Sequence, residues 1–233
     1  FGLTGTLDGT LTHRLVLEGL FGTAETIVTT KELIDKKTLA DLTVKCILLK
    51  HKNIREKMTY AEELEYLATN EKRNNFIVNL LQHLDGNTLC LFQLVEKHGK
   101  PLYEQVEETI TDRKTFFVYG GTDTSEREEI RGVVENEKKS VILASYGTFS
   151  TGINIRNINN IVFSSPSKSR IRVLQSLGRG LRKTDTKVSV LIYDIADDIS
   201  HNNKRNFTLN HFSERISLYN EQQFDYQISK VKL

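Results

Sequence analysis

Apolar residues recur along this chain in two alternating rhythms. Short, continuous apolar runs of strand length lie at 88–94 (TLCLFQL), 115–119 (TFFVY), 140–145 (SVILAS), 160–164 (NIVFS) and 187–195 (KVSVLIYDI). Runs that are continuous rather than alternating are what strands buried on both faces show. Between them lie stretches with helical spacing: 96–109, its start delayed by Gly99 and Pro101, then 125–136, where Ser125 and Glu128 are spaced as a capping box. Strands alternating with helices every 20 to 30 residues or so predict an α/β fold, a parallel sheet with helices on both faces. Ligands of such sheets bind at the carboxyl ends of the strands, in the loops that follow. Those loops here hold Gln93-Leu94, Gly120-Gly121, residues 146–154 and residues 165–168.

Upstream, TVKCILL at 43–49 is a strand candidate and 12–21 a short amphipathic helix with Leu15, Leu17 and Leu20. Helical spacing runs from Lys52 to Leu84 and ends at Asp85-Gly86-Asn87. At the other end, 204–223 predicts a helix with Phe212, Ile216 and Tyr219 on one face, followed by a short strand and frayed tail at 224–233.

Composition adds bounds. With 233 residues, 38% hydrophobic and 27% charged, the chain has the makeup of a soluble protein of one large or two small domains. A net charge of +2 gives no global field for nucleic acid, so any such reading has to be local. Cys46 and Cys90 sit in apolar runs, which predicts buried thiols in a reducing compartment. No CxxC or HExxH occurs and the six histidines are scattered, so no metal site is expected. No run reaches the ~18 apolar residues of a membrane span, which points to no membrane partner and a cytoplasmic location. The opening, Phe1-Gly2-Leu3-Thr4-Gly5-Thr6-Leu7, lacks a Met and reads like a buried strand entering a turn, as in a piece of a longer chain.

The densest charge lies at 168–187, KSRIRVLQSLGRGLRKTDTK, where seven of twenty residues are Lys or Arg and only Asp185 opposes them. Ile171, Val173, Leu174, Leu177 and Leu181 give it an amphipathic helical pattern. Arg179 and Arg182, three apart, fall on one helix face. Two guanidinium forks aimed the same way suit the oxygens of a polyphosphate.

On these residues the chain resembles the second half of a superfamily-two helicase. Gln175-Ser176-Leu177-Gly178-Arg179-Gly180-Leu181-Arg182 is similar to motif VI, Gln-x-x-Gly-Arg-x-x-Arg, at all four defining positions. Residues 2–6 resemble motif III, 89–99 motif IV and 144–157 (ASYGTFSTGINIRN) motif V. The wording around motifs V and VI most resembles bacteriophage recombination and repair helicases. The resemblance implies a RecA-like domain over 71–233, with 1–70 as the end of a first motor domain and a linker. It implies that Arg179 and Arg182 are arginine fingers toward ATP, with Gln175 on the same face. Gly152, Asn154 and Gly178 would face the nucleotide, Asn154 standing where many members carry Asp. Ser145, Thr148 and Ser150, with Gly121 and Thr122, would contact the DNA backbone. Which of the three hydroxyls does so stays open, because the spacing from Ser145 to Gly152 is one longer than the commonest pattern. Thr4 and Thr6 would couple the two motor domains.

No Gly-x-x-x-x-Gly-Lys-Ser/Thr occurs, since Pro101 follows Gly99-Lys100, and no Asp-Glu pair appears. ATP and Mg²⁺ are therefore expected to be held mainly by an N-terminal motor domain of the same protein, and this chain alone is expected to be inactive. The implied activity is ATP-dependent unwinding or translocation on branched recombination or replication-fork DNA, in the host cytoplasm if phage-encoded. Two other readings of the residues remain: a nucleic-acid-binding module that keeps the fold without motor activity, and an unrelated sugar-nucleotide-binding domain, which leaves motif VI unexplained.

Overall fold

A computed structural model of the chain describes residues 11–25, 27–52, 58–151, 155–166, 189–202 and 204–233. Among these residues, seven strands form one all-parallel sheet. They are β1 (Asp41–Lys50), β2 (Thr88–Phe92), β3 (Lys114–Val118), β4 (Ser140–Ser145), β5 (Asn160–Phe163), β6 (Ser189–Asp198) and β7 (Asp225–Lys232). Their spatial order is β3-β4-β2-β5-β6-β1-β7. Strands β2, β4 and β5 are buried along their whole length, as continuous apolar runs require.

Helices cover both faces. One face packs Ile130 and Val134 of α6 (Thr124–Asn136), Tyr146 and Phe149 of α7 (Tyr146–Thr151) and Phe212 and Tyr219 of α8 (Phe207–Glu221). The other packs Ile77 and Leu81 of α4 (Glu71–His83) and Leu102 and Val106 of α5 (Lys100–Thr109). Before α4 runs α3 (Tyr60–Thr69), opened by a capping box between Thr59 and Glu62. Upstream lie α1 (Leu11–Phe21), whose Leu15, Leu20 and Phe21 are exposed, and α2 (Thr30–Asp35).

Four expectations are corrected. First, β1 pairs with β6 along ten residues and with β7 along eight, so residues 41–50 belong to this sheet. A boundary at 70/71 therefore cuts one hydrogen-bonded layer instead of separating two bodies. Second, the strand expected within 224–233 is found, but it extends over Asp225–Lys232 and leaves no frayed tail. Third, α6 starts one residue early, with Asp123 at its N-cap, and the Ser125–Glu128 capping box does not form. Fourth, the stretch after β4 begins as helix α7 rather than as a loop.

Two glycines are required by close approach or by conformation. A Cβ on Gly99 would lie 2.4 Å from the Phe92 ring, and the chain there makes a π turn (Val95–Gly99) before α5 starts. Gly86 has φ +83 in the turn before β2, where only glycine is unstrained. Cys46 and Cys90 are buried free thiols, and burial pushes the Cys90 thiol up to about 12.

Strand β6 carries two buried carboxylates, one on each face. Asp194 lies on the face of Ile192 and Ala196, Asp197 on the face of Tyr193 and Ile195. Arg215 of α8 grips Asp194 through Nε (2.8 Å) and Nη2 (2.7 Å), and the Tyr219 hydroxyl donates to it at 2.8 Å. Arg73 of α4 donates through Nε to both Asp197 oxygens at 2.9 and 3.0 Å, and His51 Nε2 lies 2.9 Å from the same carboxylate. Burial works to raise the Asp197 carboxyl, but the Arg73 charge and the bonds from His51 and Arg73 outweigh it and hold it below its ordinary value.

Removing one partner strands the other charge in the core. Arg73→Met is expected to cost on the order of 3–5 kcal/mol in urea unfolding of the chain, where a merely surface pair would cost under about 1 kcal/mol. Because the folded Asp197 pKa is depressed, its contribution is complete above about pH 4 and is lost as pH falls through the lowered folded value. Arg73→Met should therefore also flatten the acid limb of the stability curve; an unaltered limb would contradict this assignment.

Candidate functional site

The parallel register brings the strand carboxyl ends into one edge. Val118 of β3 lies beside Ala144 of β4, Phe92 of β2 beside Ser145, Leu91 beside Phe163 of β5, and Phe163 beside Asp194 of β6. From this edge the chain runs on from α7 into residues 152–154, and from Pro166 into residues 167–188. Gly152, Asn154, Gln175, Gly178, Arg179 and Arg182 lie in those two stretches, and Thr4 and Thr6 in 1–10, all outside the described residues. Ser150 belongs to the α7 backbone, its side chain likewise outside them.

Ser145 and Thr148 come together at the end of β4. Their hydroxyl oxygens are 2.8 Å apart, and the Thr148 amide donates to Ser145 Oγ at 3.3 Å. That amide bond, from three residues on, is the one an N-capping serine makes, so Ser145 helps start α7 at the strand's end. Both side chains are buried. What this corner turns outward is Gly147, which is exposed.

Gly121 and Thr122 form the neighbouring corner, after β3. The Tyr119 amide donates to Thr122 Oγ1 at 3.0 Å and the Thr122 amide to the Tyr119 carbonyl at 3.1 Å, closing a tight turn. Arg127 Nη2 donates to the carbonyls of Tyr119 and Gly120. Thr122 is buried and Gly121 exposed, with a Cβ there set to collide with the Tyr119 ring at 2.7 Å. The turn thus presents backbone rather than side chain, which suits contact with a phosphate backbone that carries no sequence information.

A third corner, Ser164-Ser165 after β5, opens the 165–168 loop expected at this edge, although neither serine was assigned a role from the sequence, and it is the most heavily bonded. Ser164 donates to the Leu91 carbonyl through its amide (3.1 Å) and its hydroxyl (2.8 Å), while Arg73 Nη2 donates to the Ser164 carbonyl at 2.7 Å. Ser165 Oγ accepts from the Gln93 amide at 3.1 Å and lies 3.0 Å from His98 Nδ1; its carbonyl accepts from the Tyr146 hydroxyl at 3.0 Å. Burial, and then the Arg73 charge, push the His98 imidazole down to about 3, so it is neutral at working pH. The signal that could have found this corner is the pair of acids inside the apolar run of β6: a buried carboxylate demands a cation, and Arg73 serves both Asp197 and Ser164.

Among the described residues, the strand aromatics Phe116, Phe117 and Phe163 are partly or fully buried in the core. Phe117 stacks on Phe92 at 5.3 Å and on Tyr103 at 5.2 Å within the protein. No cluster of three or more His, Cys, Asp or Glu that could hold a metal ion exists among the described residues. Arg73 and Arg215, both buried, are committed to carboxylates, so neither guanidinium is available to a polyphosphate.

Comparison with known proteins places this geometry. Residues 71–184 match the helicase conserved C-terminal domain family. The ATP-dependent DNA helicase UvsW of Enterobacteria phage T4 is 32% identical over 251 residues, covering 100% of this chain and 49% of that protein. The chain thus spans about half the length of that relative. The crystal structure of T4 UvsW superposes with a TM-score of 0.69, covering 84% of this chain and 42% of that one. The S. cerevisiae protein Dbp5, bound to RNA and ADP BeF3, shares the fold with a TM-score of 0.58 at 14% identity, covering 98% of this chain and 50% of that one. In the described residues no helix is long and apolar enough to cross a membrane. With its all-parallel sheet and these matches, the chain belongs to the superfamily-two helicases and carries their RecA-like C-terminal domain.

Proposed function

We propose that this chain is the second motor half of an ATP-dependent DNA helicase or translocase that acts on branched recombination or replication-fork DNA. The observation that carries the reading is the motif VI match at Gln175, Gly178, Arg179 and Arg182, in the stretch that follows the carboxyl edge at Ser165-Pro166. Its kinship to a relative named as an ATP-dependent DNA helicase supports DNA as the partner and a host cytoplasmic location.

In this reading Arg179 and Arg182 reach the phosphates of an ATP substrate whose cradle and Mg²⁺ belong to a preceding motor domain. Positive charge held there stabilises the charge that grows on the phosphoryl oxygens, an effect on the order of 10³–10⁵ in rate in comparable systems. Gln175 orients a water or an arginine on the same face, and Gly152, Asn154 and Gly178 line the nucleotide cleft. Gly121, Thr122, Ser145, Thr148 and Ser150 form the DNA-backbone track, the mutual bond of Ser145 and Thr148 shaping the corner that presents it. Thr4 and Thr6 serve in this reading as coupling residues at the end of the first motor domain, which the reading puts in the segment before β1.

In the complete protein, Arg182→Ala is expected to lower DNA-stimulated ATP turnover by on the order of 10³-fold while DNA binding at low salt survives. Turnover at the wild-type rate would instead favour a non-motor nucleic-acid-binding module. The isolated chain should bind single-stranded DNA weakly. Between 50 and 200 mM salt that affinity should drop about tenfold if two phosphates are contacted, as fluorescence anisotropy can read. An affinity flat across that range would remove the 168–187 stretch from the contact surface.

A further inference from the structure

Ser165 stands two residues before the 167–188 stretch that carries Gln175, Arg179 and Arg182. Its neighbour Ser164 is anchored by its amide and hydroxyl on the Leu91 carbonyl and by Arg73 on its own carbonyl. At Ser165 the hydroxyl meets the Gln93 amide and His98, and the carbonyl takes the Tyr146 hydroxyl. Bonds from β2, α4, the π turn, the β2-to-π-turn connection and α7 thus converge on two consecutive residues.

Within this set His98 is the side chain with the strangest position. It is 1% exposed, and its Nε2 has no hydrogen-bond partner. Beside it lies a cavity of about 10 Å³, lined by Leu64, Leu67, Ala68, Leu94 and Pro166 together with Arg73, Gln93 and Ser165, with room for about one water. Ser165 Oγ accepts from the Gln93 amide and also shares a hydrogen bond with His98 Nδ1. Nε2 is left without a protein partner. An apolar side chain would fill this place without an orphaned ring nitrogen, so what the imidazole contributes is the bond to Ser165.

We propose that His98 is a positioning residue for ATP turnover, fixing Ser165 and through it the point from which the segment bearing Arg179 and Arg182 departs. This rests on the reading of those arginines as groups that face ATP. The bond at Ser165 fixes the point at which the chain leaves the described edge, and a displacement of about 1 Å at reacting groups can cost on the order of 100-fold in rate.

The test uses the complete protein and steady-state DNA-stimulated ATP hydrolysis, with thermal unfolding measured on each variant. His98→Leu and Ser165→Ala are each expected to lower kcat on the order of 10- to 100-fold with KM for ATP unchanged. His98→Asn, whose amide can still meet Ser165 Oγ, is expected to restore most of the rate. His98→Leu combined with Ser165→Ala should lose no more than the worse single change, because both remove one bond. Should His98→Leu fail to fold, Ser165→Ala and its comparison with His98→Asn carry the test. Wild-type kcat in folded His98→Leu and Ser165→Ala, with Arg182→Ala inactive in the same assay, would overturn the positioning role alone. Losses that multiply in the double variant would overturn it too, since they would come from separate causes. Wild-type kcat in Arg182→Ala would overturn the underlying reading instead.

Discussion

A carboxylate buried in the middle of a parallel sheet has to be met by a cation from outside the sheet, and β6 imposes that demand twice. Asp194 and Asp197 are both fully buried and, three residues apart, point to opposite faces. Neither can be left unpaired without a cost of several kcal/mol. Arg215 answers on one face and Arg73 on the other, which ties α8 and α4 to the same strand from both sides. The same logic continues at the edge of the molecule. Buried Glu63 of α3 accepts from the amides of Phe207 and Thr208 at 2.9 and 2.5 Å, placing a carboxylate at the N-terminus of α8. Apolar packing alone would let these helices slide; the ion pairs select one register.

These pairs also reach the functional edge. Arg73 spends Nε on Asp197 and Nη2 on the Ser164 carbonyl, so the charge that stabilises the core also holds the corner where β5 ends. That corner adjoins the most basic stretch of the chain, and it lies one strand from the β2 end, two from the Ser145–Thr148 corner on β4. The carboxyl edge is thus three bonded turns on β3, β4 and β5 with their hydroxyls turned inward and used. What is left to face a ligand there is backbone and whatever the intervening segments bring. An edge of that kind suits a partner recognised by its phosphates rather than by its bases.

Most of the fold was legible along the chain because its signal is local. Continuous apolar runs such as SVILAS and NIVFS can be strands only where both faces are covered, and all seven strand candidates entered the sheet. The delay expected at Gly99 and Pro101 is also present, in the form of a π turn ahead of α5 that the sequence did not specify. The errors share a cause in contacts between residues distant in sequence. Whether TVKCILL belongs to this sheet or to a preceding body depends on its partners, β6 and β7, about 150 and 180 residues away. The strand expected within 224–233 runs nearly to the end instead of fraying, because β1 offers it an edge to pair with.

The site divides along the same line. Motif VI and the hydroxyl-rich stretch after β4 are spacings of residue types, and spacing is a property of the sequence; so are the family they indicate and the kind of ligand they suit. That Ser145 and Thr148 bond each other, that Thr122 closes its own turn, and that Arg73, His98 and Tyr146 converge on Ser164-Ser165 could not be read from any window of the chain. Arg73 and Ser164 are 91 residues apart, Arg73 and Asp197 are 124. Local periodicity tells which residues must be buried, but a buried polar group is satisfied by whatever the packing brings within 3 Å or so, and only the tertiary structure decides what that is.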